Sequence, residues 1–386
     1  MGYLSTTQTL ALVLLKSAPE RAYSLSSSNG WIAAKLAERR SLGNMDAAQR
    51  RDVDRLARQA LANEPLAVPA LTALALNTLR SGDVDRARRL FVHSDAISRR
   101  DLSTRLWLIE DAVGRNDIPR TLRNYDIALR TSRNAPAILF PVLSAAISDP
   151  AISERLADTL AGRPPWAELF VNYLAGSGVS PIARATLFRR LSLRGVAPSQ
   201  AAQAAIVNAL IDAGAPQDGW TYYQTLRGNI DRRRSRDPDF KALLEAPSVL
   251  DWMPVMNDAG VMASIQRTSN GGIFEFEVPS TIGGTVLQQV QILPPGRYRM
   301  EGTSVVIAQT PNSRPYWQLS CMTGRELGRV EIPNSSERAG GFSGEFQVSG
   351  AACPTQMLRL IVRPSSDIGG VTGQIKRAAI VPIAED

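Results

Sequence analysis

Histidine and cysteine are scarce in this chain of 386 residues, and their scarcity excludes several kinds of chemistry. The one histidine is His93, so a serine–histidine or cysteine–histidine pair would depend on it alone. The surrounding sequence, RARRLFVHSDA, has helical character, so His93 is predicted to be a helix-face residue and not a catalytic one. The two cysteines, Cys321 and Cys353, are too few for a cysteine-rich zinc site. We therefore expect a protein that is not an enzyme and has no cofactor.

Long apolar runs and lysine are lacking as well. The longest apolar run lies in TLALVLL at residues 9–15, far short of the ~20 residues that span a bilayer. It has no basic flank or cleavage site typical of a signal peptide. Membrane association is thus expected only through an anchor or partner outside this sequence. Basic charge comes almost wholly from arginine, which is typical of a GC-rich bacterial genome.

Net charge and residue composition both change near residue 246. Residues 1–246 carry 33 Lys and Arg against 24 Asp and Glu, whereas residues 247–386 carry 11 against 12. At the same point, alanine and leucine with helical spacing give way to glycine and to β-branched residues with a period of two. We predict a multidomain α + β protein, with an all-α domain over residues 1–245 and an all-β domain over residues 246–386.

The helical part contains a repeat of 34 residues. NTLRSGDVDRARRLFVHSDA at 77–96 aligns with DAVGRNDIPRTLRNYDIALR at 111–130. The small and aromatic side chains of the predicted seam between paired helices are Ala87 and Phe91, then Thr121, Tyr125 and Ala128. This pattern resembles the tetratricopeptide repeat, although Leu71 and Arg105 replace the family's first-helix aromatic. The resemblance implies a solenoid of six or seven helix pairs whose surface docks a protein partner, or else a spacer that presents the second domain.

Arginine clusters raise the question of a nucleic-acid partner. The densest is DRRRSRD at 231–237. Asp and Glu are interleaved with most arginine pairs, which favours ion pairs three or four residues apart on solvated helix faces. No aromatic residues alternate with them to stack on bases. We expect no nucleic-acid partner, while attraction to an acidic polysaccharide or an anionic membrane surface stays open.

The carboxy-terminal sequence predicts nine short strands, separated by turns such as SNGG, PPG and SSDIGG. Strand number and spacing predict a sandwich. The order of strands, with the Leu293–Gly296 turn before the aromatic-bearing strand of Tyr298, resembles the jelly roll of carbohydrate-binding modules and galactose-binding-like domains. The resemblance implies a jelly-roll sandwich that contacts glycan. It transfers no ligand residue by motif.

The segment PYWQLSCMTG at 315–324 carries a tryptophan, which could be a platform for a sugar ring or a core side chain. On a strand, Trp317 shares its face with Leu319 and Cys321, whereas Tyr316 lies on the opposite face. We therefore expect Trp317 in the core and Tyr316 outside. The candidate glycan contacts are Tyr316, Trp252 and Tyr298.

Acidic residues are the remaining candidates for catalysis and for metal binding. Glu275 and Glu277 alternate with apolar residues, so they are expected on the polar face of one strand rather than as a glycosidase pair. Ligand spacing does not support a structural calcium site, for which the candidate carboxylates are Asp251, Asp258, Asp367 and Asp386.

Cys321 and Cys353 both border predicted strands, which favours a disulfide over two buried thiols. A disulfide implies an oxidising compartment, which for a bacterial chain is the periplasm or the exterior.

The two resemblances together imply a function. The chain is similar to periplasmic tetratricopeptide-repeat proteins of polysaccharide synthesis and export, which implies a non-catalytic scaffold in exopolysaccharide synthesis or export. In this hypothesis the solenoid docks a protein and the sandwich contacts glycan or another subunit. Two alternatives stay open: an assembly adaptor without glycan binding, and a glycan-acting hydrolase.

Overall fold

The computed structural model describes residues 2–268, 271–350 and 353–383, without the side chains of residues 2–5 and 268. Within these residues, fourteen helices precede ten strands, so the chain is a multidomain α + β protein. The helices are α1 (Gly2–Leu14), α2 (Pro19–Leu25), α3 (Gly30–Ser41), α4 (Ala47–Asn63), α5 (Val68–Arg80), α6 (Val84–Ile97), α7 (Leu102–Gly114), α8 (Ile118–Thr131), α9 (Ala135–Ala146), α10 (Pro150–Ala161), α11 (Ala167–Ala175), α12 (Pro181–Leu193), α13 (Gln200–Asp212) and α14 (Pro216–Arg227). Over the same described residues, no helix is both long enough and apolar enough to cross a membrane.

The chain forms two compact units, residues 1–170 and residues 171–386. The division lies inside α11, so α12–α14 belong to the same unit as the strands. The boundary predicted at 245/246 lies further along the chain, between α14 and the first strand.

The 34-residue repeat has a structural counterpart in the first unit. The bounds of α5 and α7 differ by 34 residues at both ends, and so do those of α6 and α8. Asp83 and Asp117 cap α6 and α8 in the same way, each accepting from a backbone N–H three residues on, at 3.0 Å.

The predicted seam residues lie between these helices. Ala87 and Phe91 are fully buried, and Tyr125 and Ala128 are nearly so. Thr121 is half-buried and its hydroxyl donates to the Asp117 carbonyl of its own helix at 2.8 Å. Phe91 stacks on Trp107 of α7, with ring centroids 4.4 Å apart. Trp107 lies two residues after Arg105, so α7 does supply an aromatic side chain to this seam.

The strands form two five-stranded antiparallel sheets that make a β-sandwich. They are β1 (Met253–Pro254), β2 (Met262–Thr268), β3 (Gly271–Val278), β4 (Gly284–Gln291), β5 (Gly296–Val305), β6 (Tyr316–Cys321), β7 (Glu326–Glu331), β8 (Gly340–Val348), β9 (Gln356–Val362) and β10 (Val371–Pro382). Sheet A has the order β1-β4-β9-β6-β7, and sheet B has the order β2-β3-β10-β5-β8. From β3 onward successive strands change sheet, except that β6 and β7 are neighbours in sheet A, and this arrangement is that of a jelly roll, which confirms the predicted fold. All nine predicted strands are present, and only the two-residue β1 was not expected.

Trp317 lies in the core of the sandwich, as strand parity predicted. It is fully buried, and Trp252 and Phe342 lie next to it with ring centroids at 5.7 and 6.4 Å. Leu319 and Cys321, on the same face of β6, are buried as well. The tryptophan of this segment is therefore not a sugar platform.

Cys321 and Cys353 form a disulfide, as predicted, and no free cysteine remains. Cys321 is the last residue of β6, and Cys353 precedes β9 by three positions. The bond closes a loop that contains β7 and β8. A disulfide of this kind indicates an extracytoplasmic protein, because cytosolic thiols are kept reduced.

Removing this disulfide is expected to lower the free energy of unfolding by about 3 kcal/mol, because the bond restricts the unfolded chain across a separation of 32 residues. The variant is Cys321→Ser/Cys353→Ser, measured by urea unfolding against the oxidised wild type. Dithiothreitol should destabilise the wild type to the level of the variant and leave the variant unchanged. A difference below ~1 kcal/mol would contradict this prediction.

Candidate functional site

The outer face of sheet A presents polar side chains across all of its longer strands. Burial alternates along the whole of β9, and along β6 it alternates from Tyr316 to Leu319, so that Tyr316 and Gln318 face outward. The strand register then aligns Gln288 of β4 with Arg359 of β9, Arg359 with Gln318 of β6, and Gln318 with Arg329 of β7. We call these four residues the polar row.

Arg359 is the central member of the polar row and has no partner of opposite charge. It is half-buried, and within the described part of the chain its guanidinium makes no hydrogen bond or ion pair. Its register neighbours, Gln288 and Gln318, carry amides that can both donate and accept hydrogen bonds, and one N–H of the Gln318 amide is already donated to Glu326 at 2.5 Å. The row thus offers a cation with five free donors between two neutral amides.

Tyr316 lies beside the polar row and faces outward, as predicted. The Arg329 and Arg363 guanidinium groups lie over its ring, 4.2 and 4.6 Å from the centroid. Each of these arginines also pairs with an acid, Arg329 with Glu326 at 3.2 Å and Arg363 with Glu331 at 2.8 Å. The hydrogen bond that Arg329 donates to the Glu326 carboxylate raises the pKa of Arg329 above its usual value. Because its ring is already covered, Tyr316 is not a free stacking platform for sugar.

The other two candidate glycan contacts are core side chains, which corrects the expectation that they meet ligand. Trp252 is 4% exposed, and its indole N–H donates to the Asp237 carbonyl at 2.9 Å. Tyr298 is 2% exposed, and its hydroxyl donates to the Pro294 carbonyl at 2.8 Å. Burial raises the pKa of Tyr298. Both rings are inside the sandwich and out of reach of a surface ligand.

The acidic candidates do not assemble into a site. Glu275 and Glu277 are on the outer side of β3, and Glu275 accepts a hydrogen bond from Gln374 at 2.7 Å. Among the residues that the structure describes, no group of three or more His, Cys, Asp or Glu could hold a metal ion. The Asp251 carboxylate is occupied by protein donors, while Asp386 lies outside the described residues.

Strand parity places Leu358 and Leu360 inside the sandwich and Arg359 and Arg363 outside, but it does not show which arginine lacks an acidic partner. Arg359 is adjacent to Gln288 and Gln318 because β9 pairs with β4 and with β6. The paired residues are 71 and 41 positions apart in the sequence, so no local sequence pattern predicts that they are neighbours.

Comparisons with known proteins do not identify a family. No family model matches the chain, and no curated protein matches it. Among solved structures, the chain is similar to TmCBM61 in complex with beta-1,4-galactotriose, at 15% identity over 38% of this chain and 97% of that one, with a TM-score of 0.27. It is also similar to the CBM22-1 xylan-binding domain from Paenibacillus barcinonensis Xyn10C, at 9% identity over 35% of this chain and 87% of that one, with a TM-score of 0.26.

A third similar structure is the enzymatically active domain of bacteriophage CBA120 tailspike protein 4, at 13% identity and a TM-score of 0.26. The match covers 35% of this chain and only 20% of the tailspike chain. TM-scores of this size are too low to support a conclusion about function.

Proposed function

We propose that this protein is a non-catalytic scaffold whose polar row binds an acidic glycan and whose helical repeats bind a protein partner. The setting proposed is the bacterial periplasm, in the synthesis or export of an exopolysaccharide. The disulfide supports the compartment, and the 34-residue period of paired helices supports a tetratricopeptide-like docking unit.

The observation that carries the glycan part is the unpaired Arg359 between two glutamines. A guanidinium binds a carboxylate through two parallel hydrogen bonds, and such charge-assisted pairs are about twice as strong as neutral ones. Glutamine amides on either side can donate to and accept from sugar hydroxyl groups. A sugar acid offers both a carboxylate and hydroxyls, so it matches the row better than a neutral sugar does.

The shape of the face supports a polymer rather than a small molecule. Five strands at about 4.8 Å spacing make a surface about 20 Å wide. A chain of sugars can lie across the strands along the polar row without entering a closed cavity. No step of chemistry is needed for such binding, which fits a scaffold.

Arg359→Gln is expected to weaken binding of an acidic polysaccharide by roughly tenfold, the effect of losing one charge-assisted contact. The measurement is affinity electrophoresis and calorimetry of the full chain with polygalacturonate, with dextran as the neutral polymer. Wild-type binding should decrease as salt is added, because the central contact is ionic.

The matched control is Arg297→Gln. Arg297 lies on β5 of sheet B and pairs with Glu345 at 2.7 Å, so its replacement changes the net charge equally but leaves the polar row intact. Equal losses in the two variants would show only general charge attraction. Absence of binding to any acidic or neutral polysaccharide would favour the adaptor without glycan binding.

A further inference from the structure

A groove in the first unit carries free positive charge of its own. It has a volume of about 860 Å³ and runs between the carboxy-terminal part of α6 and one face of α8, across α7. Arg120, Arg123 and Ile127 of α8 line one side, at the spacing of a single helix face. Val92 of α6 and Arg99, two residues after the end of that helix, line the other side. We call it the α6–α8 groove.

The floor of the α6–α8 groove is formed partly by a buried arginine. Arg105 is 2% exposed, and its guanidinium contacts the Asp95 carboxylate and donates to Asn124 Oδ1 at 2.8 Å. Its Nε has no hydrogen-bond partner in the described part of the chain. Desolvation lowers the pKa of Arg105. A buried donor without an acceptor costs free energy, so a ligand oxygen that accepts from it stabilises the complex.

The rim of the groove brings together three cations that have no acidic partner in the described part of the chain. Arg99, Arg120 and Arg123 are exposed, and none of their side chains has a hydrogen bond or ion pair with the residues described. The acids of the groove are already used, since Asp95 pairs with Arg105 and Asp117 caps α8. Some arginines elsewhere in the unit pair with acids on the same or a neighbouring helix, as in Arg40–Glu20, Arg55–Asp52, Arg88–Asp111 and Arg130–Asp126. Others, such as Arg51 and Arg58, are exposed but do not line this groove.

Apolar side chains separate these cations and indicate the kind of occupant. Val92 is 47% exposed and Ile127 is half-buried, while Leu108 and Pro119 also line the groove. Carboxylates would meet the arginines, and an apolar side chain would meet this surface. A peptide of mixed acidic and apolar residues offers both, whereas a sugar acid offers carboxylate and hydroxyl only.

We propose that the α6–α8 groove binds an acidic peptide segment, with at least one apolar side chain, from a partner protein. This specifies the protein partner of the proposed function and rests on that part of it. It does not depend on glycan binding, which involves the polar row in the other unit.

The test is fluorescence anisotropy with the full chain and a short fluorescein-labelled peptide of glutamate, leucine and phenylalanine. A second peptide has glutamine in place of every glutamate, and a third has serine in place of the apolar residues. We expect binding of the first peptide only, weakened by added salt. Arg120→Glu/Arg123→Glu should weaken it at least tenfold, because two attractive contacts become repulsive.

The matched control is Arg51→Glu/Arg58→Glu on α4, where two exposed arginines lie outside the groove. This pair should change binding by less than about twofold. No binding of the acidic peptide, or an equal loss in the two double variants, would overturn the proposal. Competition by polygalacturonate at a lower concentration than unlabelled peptide would overturn it as well, since the groove would then prefer a polysaccharide. Failure of the Arg359→Gln prediction affects only the glycan part.

Discussion

Asp251→Ala is expected to lower the free energy of unfolding of residues 171–383 by about 3–5 kcal/mol, the usual cost of removing one member of a buried charged network. Asp251 is 5% exposed and accepts from the Tyr223 hydroxyl at 2.6 Å and from the Arg227 guanidinium at 3.2 Å. It also accepts from the hydroxyl and the backbone N–H of Ser248, at 2.7 and 2.9 Å. One carboxylate therefore connects α14 to the segment that precedes β1.

The partners of Asp251 have no alternative acceptor within this network. Burial, reinforced by the Asp251 carboxylate, raises the pKa of Tyr223, so its hydroxyl keeps its proton and must donate. Arg227 lies over the Tyr223 ring at 5.5 Å and would retain a charge without its counter-ion. The same contacts explain why Asp251, once a candidate calcium ligand, is not free to bind an ion.

The measurement is urea unfolding of the full chain, read by pulsed hydrogen exchange and mass spectrometry in peptides from 171–383. Asp258→Ala is the control, because Asp258 is exposed in the turn before β2 and makes no described side-chain contact. It should change the unfolding free energy by less than about 0.5 kcal/mol. A loss below ~1 kcal/mol for Asp251→Ala, or an equal loss in the control, would contradict the prediction.

Strand positions were predictable because the sandwich imposes a period of two on each strand separately. In β9 the alternation of Leu358, Arg359 and Leu360 is visible in the sequence and is the alternation of burial in the structure. The same parity applied to β5 places Tyr298 with Met300 on the inner face, so its burial also follows from the sequence. Trp252 lies outside any strand, and no period determines its direction.

The two arginine-bearing surfaces were not predictable in the same way. Interleaved acids suggested that arginines pair along their own helices, and Arg130 does pair with Asp126. Arg120 and Arg123 face the α6–α8 groove instead, because Asp117 caps their helix and Asp126 pairs with Arg130. Which arginine stays free depends on helix capping and on packing between helices, and neither is a property of the charge pattern.

Arg236 is the clearest departure from expectation among the charged residues. It belongs to DRRRSRD at 231–237, where solvated side chains were expected, yet it is 6% exposed. Its guanidinium donates twice to the Leu250 carbonyl, at 3.0 and 2.8 Å, and once to Gln291 Oε1 at 2.8 Å. It also contacts the Val290 carbonyl and lies 5.8 Å from the Trp220 ring centroid. One side chain thus connects α14, the segment before β1 and β4 of the sandwich.

Arg236→Ala is expected to lower the free energy of unfolding of residues 171–383 by about 3–5 kcal/mol. Three buried acceptors lose their donor, each at about 1–3 kcal/mol, and truncation leaves a cavity. Burial disfavours the charged guanidinium and lowers the pKa of Arg236. Removing that charge therefore offsets part of the expected loss in the free energy of unfolding. The unpaired acceptors outweigh that gain because they stay buried in the variant.

The same exchange-detected unfolding measures Arg236→Ala, with Arg234→Ala, an exposed arginine of the same segment, as the control. A double variant with Asp251→Ala distinguishes lost hydrogen bonds from lost charge balance. If the Asp251 charge helps to keep Arg236 buried, the double variant should be about 1 kcal/mol more stable than the sum of the single losses predicts. Additive losses would show that hydrogen bonds to Leu250, Val290 and Gln291 hold Arg236 without help from Asp251. A loss no larger than that of Arg234→Ala would contradict a structural role for Arg236 altogether.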